Sequence, residues 1–169
     1  AAIDWVVEEG FAEVAAFHPH VRRVIPVAIR RWRGALLAPA TWSEVGAFRA
    51  TLRSERYDAV IDSQGLIKSA LIAAQARGRK HGFDRACARE PFAARCYDAV
   101  HAVRGNLHAV DRNRQLAAAV LGYRVDDACD YGLRVAGEPP MQARTPFSLL
   151  FTMTSRDDKL WPEERWRAL

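Results

Sequence analysis

The sequence predicts an α/β fold, a Rossmann-like parallel sheet with helices on both faces, followed by the first strand and helix of a second such domain. Three observations carry this. Short strand-like segments alternate with segments of helical periodicity through residues 1–136. The strand segments have continuous apolar centres, as strands covered on both faces do. Around residue 135 the chain turns Pro- and Gly-bearing and polar, and then a strand and a helix begin again.

The elements follow in order. "IDWVVEE" (3–9) predicts a strand and "FAEVAAF" a short helix. "VRRVIPVAI" (21–29) predicts a second strand, with "RRWR" at its end. In "SEVGAFRATLRSE" (43–55), Val45, Phe48 and Leu52 fall on one helical face, and Ser43 is the candidate N-cap. "YDAVIDSQG" (57–65) predicts a strand ending in a glycine turn, and "LIKSALIAAQA" (66–76) a helix stopped by Gly78. A longer helix starts near His108 and ends at Gly122. "VAGEPPMQARTP" (135–146) is a linker, "FSLLFTM" (147–153) a new strand, and "PEERWRAL" (162–169) a helix with Pro162 at its first position. The domain reading is 1–136, then a linker at 137–146, then the start of a second domain at 147–169.

Composition bounds the function. Half of the 169 residues are hydrophobic and 27 % are charged, which suits a globular protein with its own core. No apolar run approaches the ~20 residues a membrane-spanning helix needs. The net charge of +5 is carried mostly by arginine, whose planar fork suits carboxylates and phosphates. Cys87, Cys96 and Cys129 form no CxxC pair, which argues against a disulfide framework or zinc site and fits a reducing compartment. No nucleic-acid motif appears.

Three stretches could carry chemistry. Arg30, Arg31, Trp32 and Arg33 follow the second strand, and ligands of open α/β sheets bind beyond the carboxyl ends of strands. A solvated basic loop is the alternative. "DSQGLIKS" (62–69) is a strand-to-helix turn able to meet an anion. Lys68 in its first helical turn calls for a negative ligand or an acidic neighbour. "TMTSRDDKLWPEERW" (152–166) sets Thr154, Ser155 and Lys159 before a Pro-started helix, a reasonable cradle for a diphosphate. Asp157 and Asp158 read as loop caps or ion-pair partners rather than a metal pair. The five histidines share no pattern, and Arg89 in "AREP" (88–91) reads as a loop arginine.

Together, "DWVVEEGFAEV", "RVIPVAIRRWR", "YDAVIDSQGLIKSA", "KHGFD", "AREP" and "SRDDKLWPEERWRAL" resemble the heptosyltransferases, a family of ADP-heptose glycosyltransferases. The resemblance runs nearly end to end and is weakest across 124–146. It implies a GT-B fold, with the acceptor on the N-terminal Rossmann-like domain and the nucleotide sugar on the C-terminal one. It implies inverting transfer of L-glycero-D-manno-heptose from ADP-heptose to Kdo2-lipid A, without a metal or other cofactor, at the cytoplasmic face of the inner membrane. Matched by position, Arg30, Arg31, Arg33 and Arg89 are the expected acceptor-binding residues. Thr154, Ser155 and Lys159 are the expected donor-phosphate residues; Ser155 stands where related sequences carry a second threonine. The family's general-base aspartate, in a Gly-Asp loop after the first strand, is expected upstream of Ala1, and most of the donor domain after Leu169. The chain is thus expected to be an internal fragment, inactive by itself. Other readings are a heptosyltransferase for an already heptosylated acceptor, or a non-catalytic basic anion-binding module.

Overall fold

The computed structural model describes residues 2–126, 128–134 and 157–168. The chain divides into two compact units, Ala1–Val135 and Ala136–Leu169, each described by itself.

The first unit runs β1 (Ile3–Glu8), α1 (Ala12–Ala16), β2 (Val21–Val27), α2 (Ile29–Gly34), α3 (Pro39–Arg53), β3 (Arg56–Asp62), α4 (Ile67–Ala73), β4 (Arg77–Phe83), β5 (Ala99–His101) and α5 (Ala109–Leu121). Among the described residues the strands form two open ladders, β1–β2 and β3–β4–β5, and every pairing is parallel. Parallel neighbours need crossovers, and the helices supply them.

One ion-pair cluster fixes the common direction of the strands. Asp4, near the start of β1, accepts a two-pronged bond from Arg22 at 2.9 and 2.8 Å. It also accepts from Arg23 at 2.6 Å and from the Tyr57 hydroxyl at 3.0 Å. Arg22 and Arg23 open β2 and Tyr57 opens β3. The amino ends of β1, β2 and β3 therefore converge, and their carboxyl ends lie together at the opposite edge.

Strand parity assigns the helices to faces, because successive residues point to opposite sides. Ile61 and Phe83 pack with Leu116 of α5 and with Val103. The next residue on β3, Asp62, instead meets Ser69 of α4 and Tyr97. On β4, a Cβ added at Gly82 would fall 2.2 Å from the Tyr97 ring. Helix α5 covers one face, and α4 with the 3-10 turn Pro91–Cys96 lies on the other. A second cluster joins Ile25 and Val27 of β2 to Trp32, Phe48 and Leu52, with Val45 packed against it. The apolar face predicted for α3 is the buried one.

Several boundaries differ from the sequence reading. The strand predicted to residue 29 ends at Val27, and "IRRWRG" is the helix α2. Arg and Trp sit readily in a helix. The Glu8 carboxylate accepts the Arg30 backbone N–H at 3.2 Å, satisfying one otherwise open first-turn donor. Helix α3 begins at Pro39, so Ser43 is not its cap; proline has no N–H to satisfy there and its φ is preset. Gly78 does not stop a helix but lies inside β4 at φ +151, opposite a register shift in β3. A Cβ there would fall 2.4 Å from the Tyr57 carbonyl oxygen. His108 caps α5 through its side chain, and Gly122 closes it, as expected.

In the second unit, Asp157–Lys159 form one 3-10 turn and Glu163–Arg167 the short helix α6. Pro162 occupies the N-cap, one place before the predicted position. Trp161 and Trp166 meet edge to face at 4.7 Å. The strand predicted at 147–153 lies outside the described residues, as do Thr154 and Ser155. Among the described residues no helix is long and apolar enough to cross a membrane.

Candidate functional site

The carboxyl ends of the strands gather three segments in the first unit: α2 directly after β2, the turn after β3, and the loop after β4. Each carries residues that the sequence singled out.

Helix α2 is held by its inward residue. Trp32 is buried, meets Phe48 edge to face at 5.7 Å and donates its indole N–H to Glu44 at 2.8 Å. Arg31 is held as well. It donates to both oxygens of Glu9 at 3.2 and 3.0 Å, and to Glu44 at 2.7 Å. Arg31 keeps Glu9 ionised below its ordinary range, while Glu44 is lowered first by the Trp32 indole and then by Arg31. These side chains are about half exposed, so the bridges orient more than they stabilise. Arg30 and Arg33 differ. They are exposed, lie three residues apart on the side of α2 away from Trp32, and make no ion pair among the described residues. The hollow of about 350 Å³ behind α2 is lined by Arg31 and Trp32 but not by Arg30 or Arg33. Among the described residues, then, the Arg30 and Arg33 guanidiniums are exposed and unpaired.

The turn after β3 is built on a buried carboxylate. Asp62 accepts from the backbone N–H of Gln64 at 2.8 Å, the Ser69 hydroxyl at 2.7 Å and the Tyr97 hydroxyl at 2.7 Å. Burial, then the adjacent Asp62 charge, raises the Tyr97 hydroxyl far above its usual value, so it stays a donor. Gly65 turns the chain at φ +64, and an added Cβ would press on the Arg89 backbone nitrogen at 3.3 Å. Two bonds stitch the turn to the loop after β4: Glu90 N–H to the Gly65 carbonyl at 2.9 Å, and Ile67 N–H to the Glu90 carboxylate at 2.6 Å. The positive end of α4 thus receives Glu90, the acidic neighbour that Lys68 called for. Arg89 beside it is exposed.

Lys159 is exposed and belongs to the second unit. No cluster of three metal-ligating side chains occurs among the described residues. The structure also pairs two histidines that the sequence left unrelated: the β4–β5 register brings His81 Nδ1 within 3.1 Å of His101 Nε2. Burial, then the His101 charge, lowers the His81 pKa. Sequence reasoning missed this pair, the Glu9–Arg31–Glu44 bridge and the Asp62–Tyr97 bond. All three depend on register or long-range packing. The only local hint was Asp62 at the head of a glycine turn.

This arrangement can be compared with known proteins. Residues 45–169 match glycosyltransferase family 9 (heptosyltransferase). Over 98 % of its length the chain is 48 % identical to lipopolysaccharide heptosyltransferase 1 of Escherichia coli K12, covering 53 % of that protein. It is 44 % identical to the enzyme of the same name from Pseudomonas aeruginosa over 98 % of its length, covering 47 % of that protein. Among solved structures, E. coli heptosyltransferase WaaC with ADP superposes on 99 % of the chain with a TM-score of 0.89 at 45 % identity, over 53 % of that structure. WaaC with ADP-2-deoxy-2-fluoro heptose gives a TM-score of 0.80 at 42 % identity, over 99 % of the chain and 54 % of that structure. The chain spans about half the length of the curated relatives it matches. With its parallel open ladders, its GT-B neighbour and this extent of identity, the chain belongs to glycosyltransferase family 9, the heptosyltransferases.

Proposed function

We propose that this chain is the acceptor-side part of an enzyme that transfers L-glycero-D-manno-heptose from ADP-heptose to Kdo2-lipid A, with inversion, in assembly of the lipopolysaccharide inner core. The observation that carries the reading is the 48 % identity to a lipopolysaccharide heptosyltransferase over 98 % of the chain. In this account residues 1–136 form the acceptor-side domain, 137–146 the linker and 147–169 the start of the donor domain.

Kdo sugars and lipid A offer carboxylates and phosphates. Arg30 and Arg33, exposed and without ion pairs among the described residues, are ready to meet them through charge-assisted forks. Arg31 is spoken for by Glu9 and Glu44, so it reaches the acceptor only by exchanging a glutamate for an acceptor anion. Arg89 supplies a further cation from the loop braced by Glu90. Holding the Kdo hydroxyl against the anomeric carbon lowers the entropic cost of the encounter. A carboxylate upstream of Ala1 accepts the hydroxyl proton. Thr154, Ser155 and Lys159 bind the donor diphosphate, and the Lys159 ammonium offsets charge growing on the ADP leaving group. The enzyme works at the cytoplasmic face of the inner membrane, where its acceptor is anchored.

The test is kinetic. In the protein extended to the length of its relatives, Arg30→Ala is expected to weaken use of Kdo2-lipid A and leave ADP-heptose affinity nearly intact. Lys159→Ala is expected to do the reverse. If both variants lost donor binding alone, the division of roles would be wrong. The 169-residue chain alone is expected to show no turnover of ADP-heptose, and measurable turnover would refute that.

A further inference from the structure

The segment joining α2 to α3 presents apolar side chains where a protein in water would ordinarily hide them. Leu37 is 99 % exposed, Leu36 55 % and Trp42 61 %. They do not belong to a slack loop. Ala35 N–H donates to the Trp32 carbonyl at 3.1 Å, and Ala38 N–H to the Ala35 carbonyl at 3.0 Å. The Thr41 hydroxyl donates to that same Ala35 carbonyl at 2.8 Å, and the Trp42 indole N–H to the Leu36 carbonyl at 2.8 Å. Pro39 fixes the backbone at the head of α3. The segment is a braced platform that holds Leu37 outward.

Its charge is one-sided. Residues 28–43 contain three arginines and no acidic residue. Of these, Arg31 already answers Glu9 and Glu44, and Glu8 is engaged by the Arg30 backbone. The Arg30 and Arg33 side chains remain, just before the apolar platform. Arg49 is two turns beyond Trp42 on the exposed side of α3. Outward leucines, an indole tethered at one edge, and guanidiniums unpaired among the described residues make up the pattern of a bilayer interface: apolar groups enter the acyl boundary, and cations meet anionic headgroups.

We propose that residues 30–42 are the bilayer-docking surface of this chain, with Leu36, Leu37 and Trp42 entering the interface and Arg30 and Arg33 meeting anionic headgroups. This rests on the reading of a membrane-anchored acceptor and adds where the protein touches the membrane. Docking there sets the free guanidiniums of α2 at headgroup level, where the acceptor's anionic sugars begin.

The test uses vesicles without Kdo2-lipid A or ADP-heptose, so it is independent of heptosyl transfer. The 169-residue chain is sedimented with phosphatidylglycerol-containing vesicles and with pure phosphatidylcholine vesicles. Binding to the anionic vesicles is expected, and Leu37→Glu is expected to weaken it about tenfold or more. Because Leu37 touches almost nothing, circular dichroism and the melting temperature should stay unchanged. Tryptophan emission should shift to the blue on binding, and Trp42→Phe should abolish most of that shift. Arg30→Gln with Arg33→Gln should weaken binding to anionic vesicles and remove most of its salt sensitivity. The proposal is overturned if the chain does not bind, or if Leu37→Glu binds as well as the parent. It is also overturned if Leu37→Glu only converts a dimer to a monomer in vesicle-free sedimentation.

Discussion

Acid should dismantle the first unit at an identifiable point. The Asp4 side chain is only 2 % exposed, yet it stays ionised because Arg22, Arg23 and Tyr57 all donate to it. The Arg22 bond, the largest influence, outweighs burial and, with Arg23 and Tyr57, holds its pKa at about 2 instead of 3.8. A lowered carboxylate pKa contributes stability that is complete above the unfolded value and is lost as pH falls through the folded one. A fall of roughly 1.8, at about 1.36 kcal/mol each, gives about 2.4 kcal/mol, present above pH 3.8 and gone below about pH 2. For a chain of this size that corresponds to a melting-point change of about 5–10 °C. The perturbation is Asp4→Asn, which keeps the shape and removes the charge. Urea unfolding of both proteins, followed from neutral pH downward, should give a gap of at least about 2 kcal/mol at neutrality. The gap should close between pH 3.8 and about 2. A gap that stayed constant through that window would refute the argument, as would one below about 0.5 kcal/mol at neutral pH.

Two further substitutions probe the other end of the strands and the bulge between β3 and β4. Tyr97→Phe removes one of the two 2.7 Å donors to Oδ2 of the buried Asp62, leaving the Ser69 hydroxyl, and should cost about 1.5–3 kcal/mol in urea unfolding. A loss under about 0.5 kcal/mol would mean that water replaces the hydroxyl freely. Gly78→Ala places a methyl 2.4 Å from the Tyr57 carbonyl oxygen at φ +151, and a loss of about 1–3 kcal/mol is expected. An unchanged denaturation midpoint would show that the bulge yields.

Much of the fold was legible because its signals are local. The "AVID" centre of β3, the Val45–Phe48–Leu52 stripe of α3 and Gly122 behind α5 each follow from periodicity or capping within a few residues. Strand β4 was not. "RGRKHGF" looks like a charged loop, since Arg77 and Arg79 alternate outward and its buried positions are His81, Gly82 and Phe83, of which only Phe83 is a strong strand former. Strand β5 spans only three residues, too few to show alternation. In the candidate site, the arginines of α2 could be named from the sequence, but not which were free. That distinction depends on Glu9, in the turn just after β1, and Glu44, from α3, arriving at Arg31. The Gly65 turn could be read as a place for an anion. Only the fold shows that the anion is the chain's own Glu90.

The proposed roles turn on whether the exposed guanidiniums of α2 grip an anionic, lipid-linked sugar. The most direct measurement is the affinity of the chain for deacylated Kdo2-lipid A, which keeps the carboxylates and phosphates but cannot enter a bilayer. Saturable binding is expected, reduced at least tenfold by Arg30→Ala with Arg33→Ala and left unchanged by Lys159→Ala. Binding that survives loss of both arginines, or that fails only when Lys159 is removed, would contradict it.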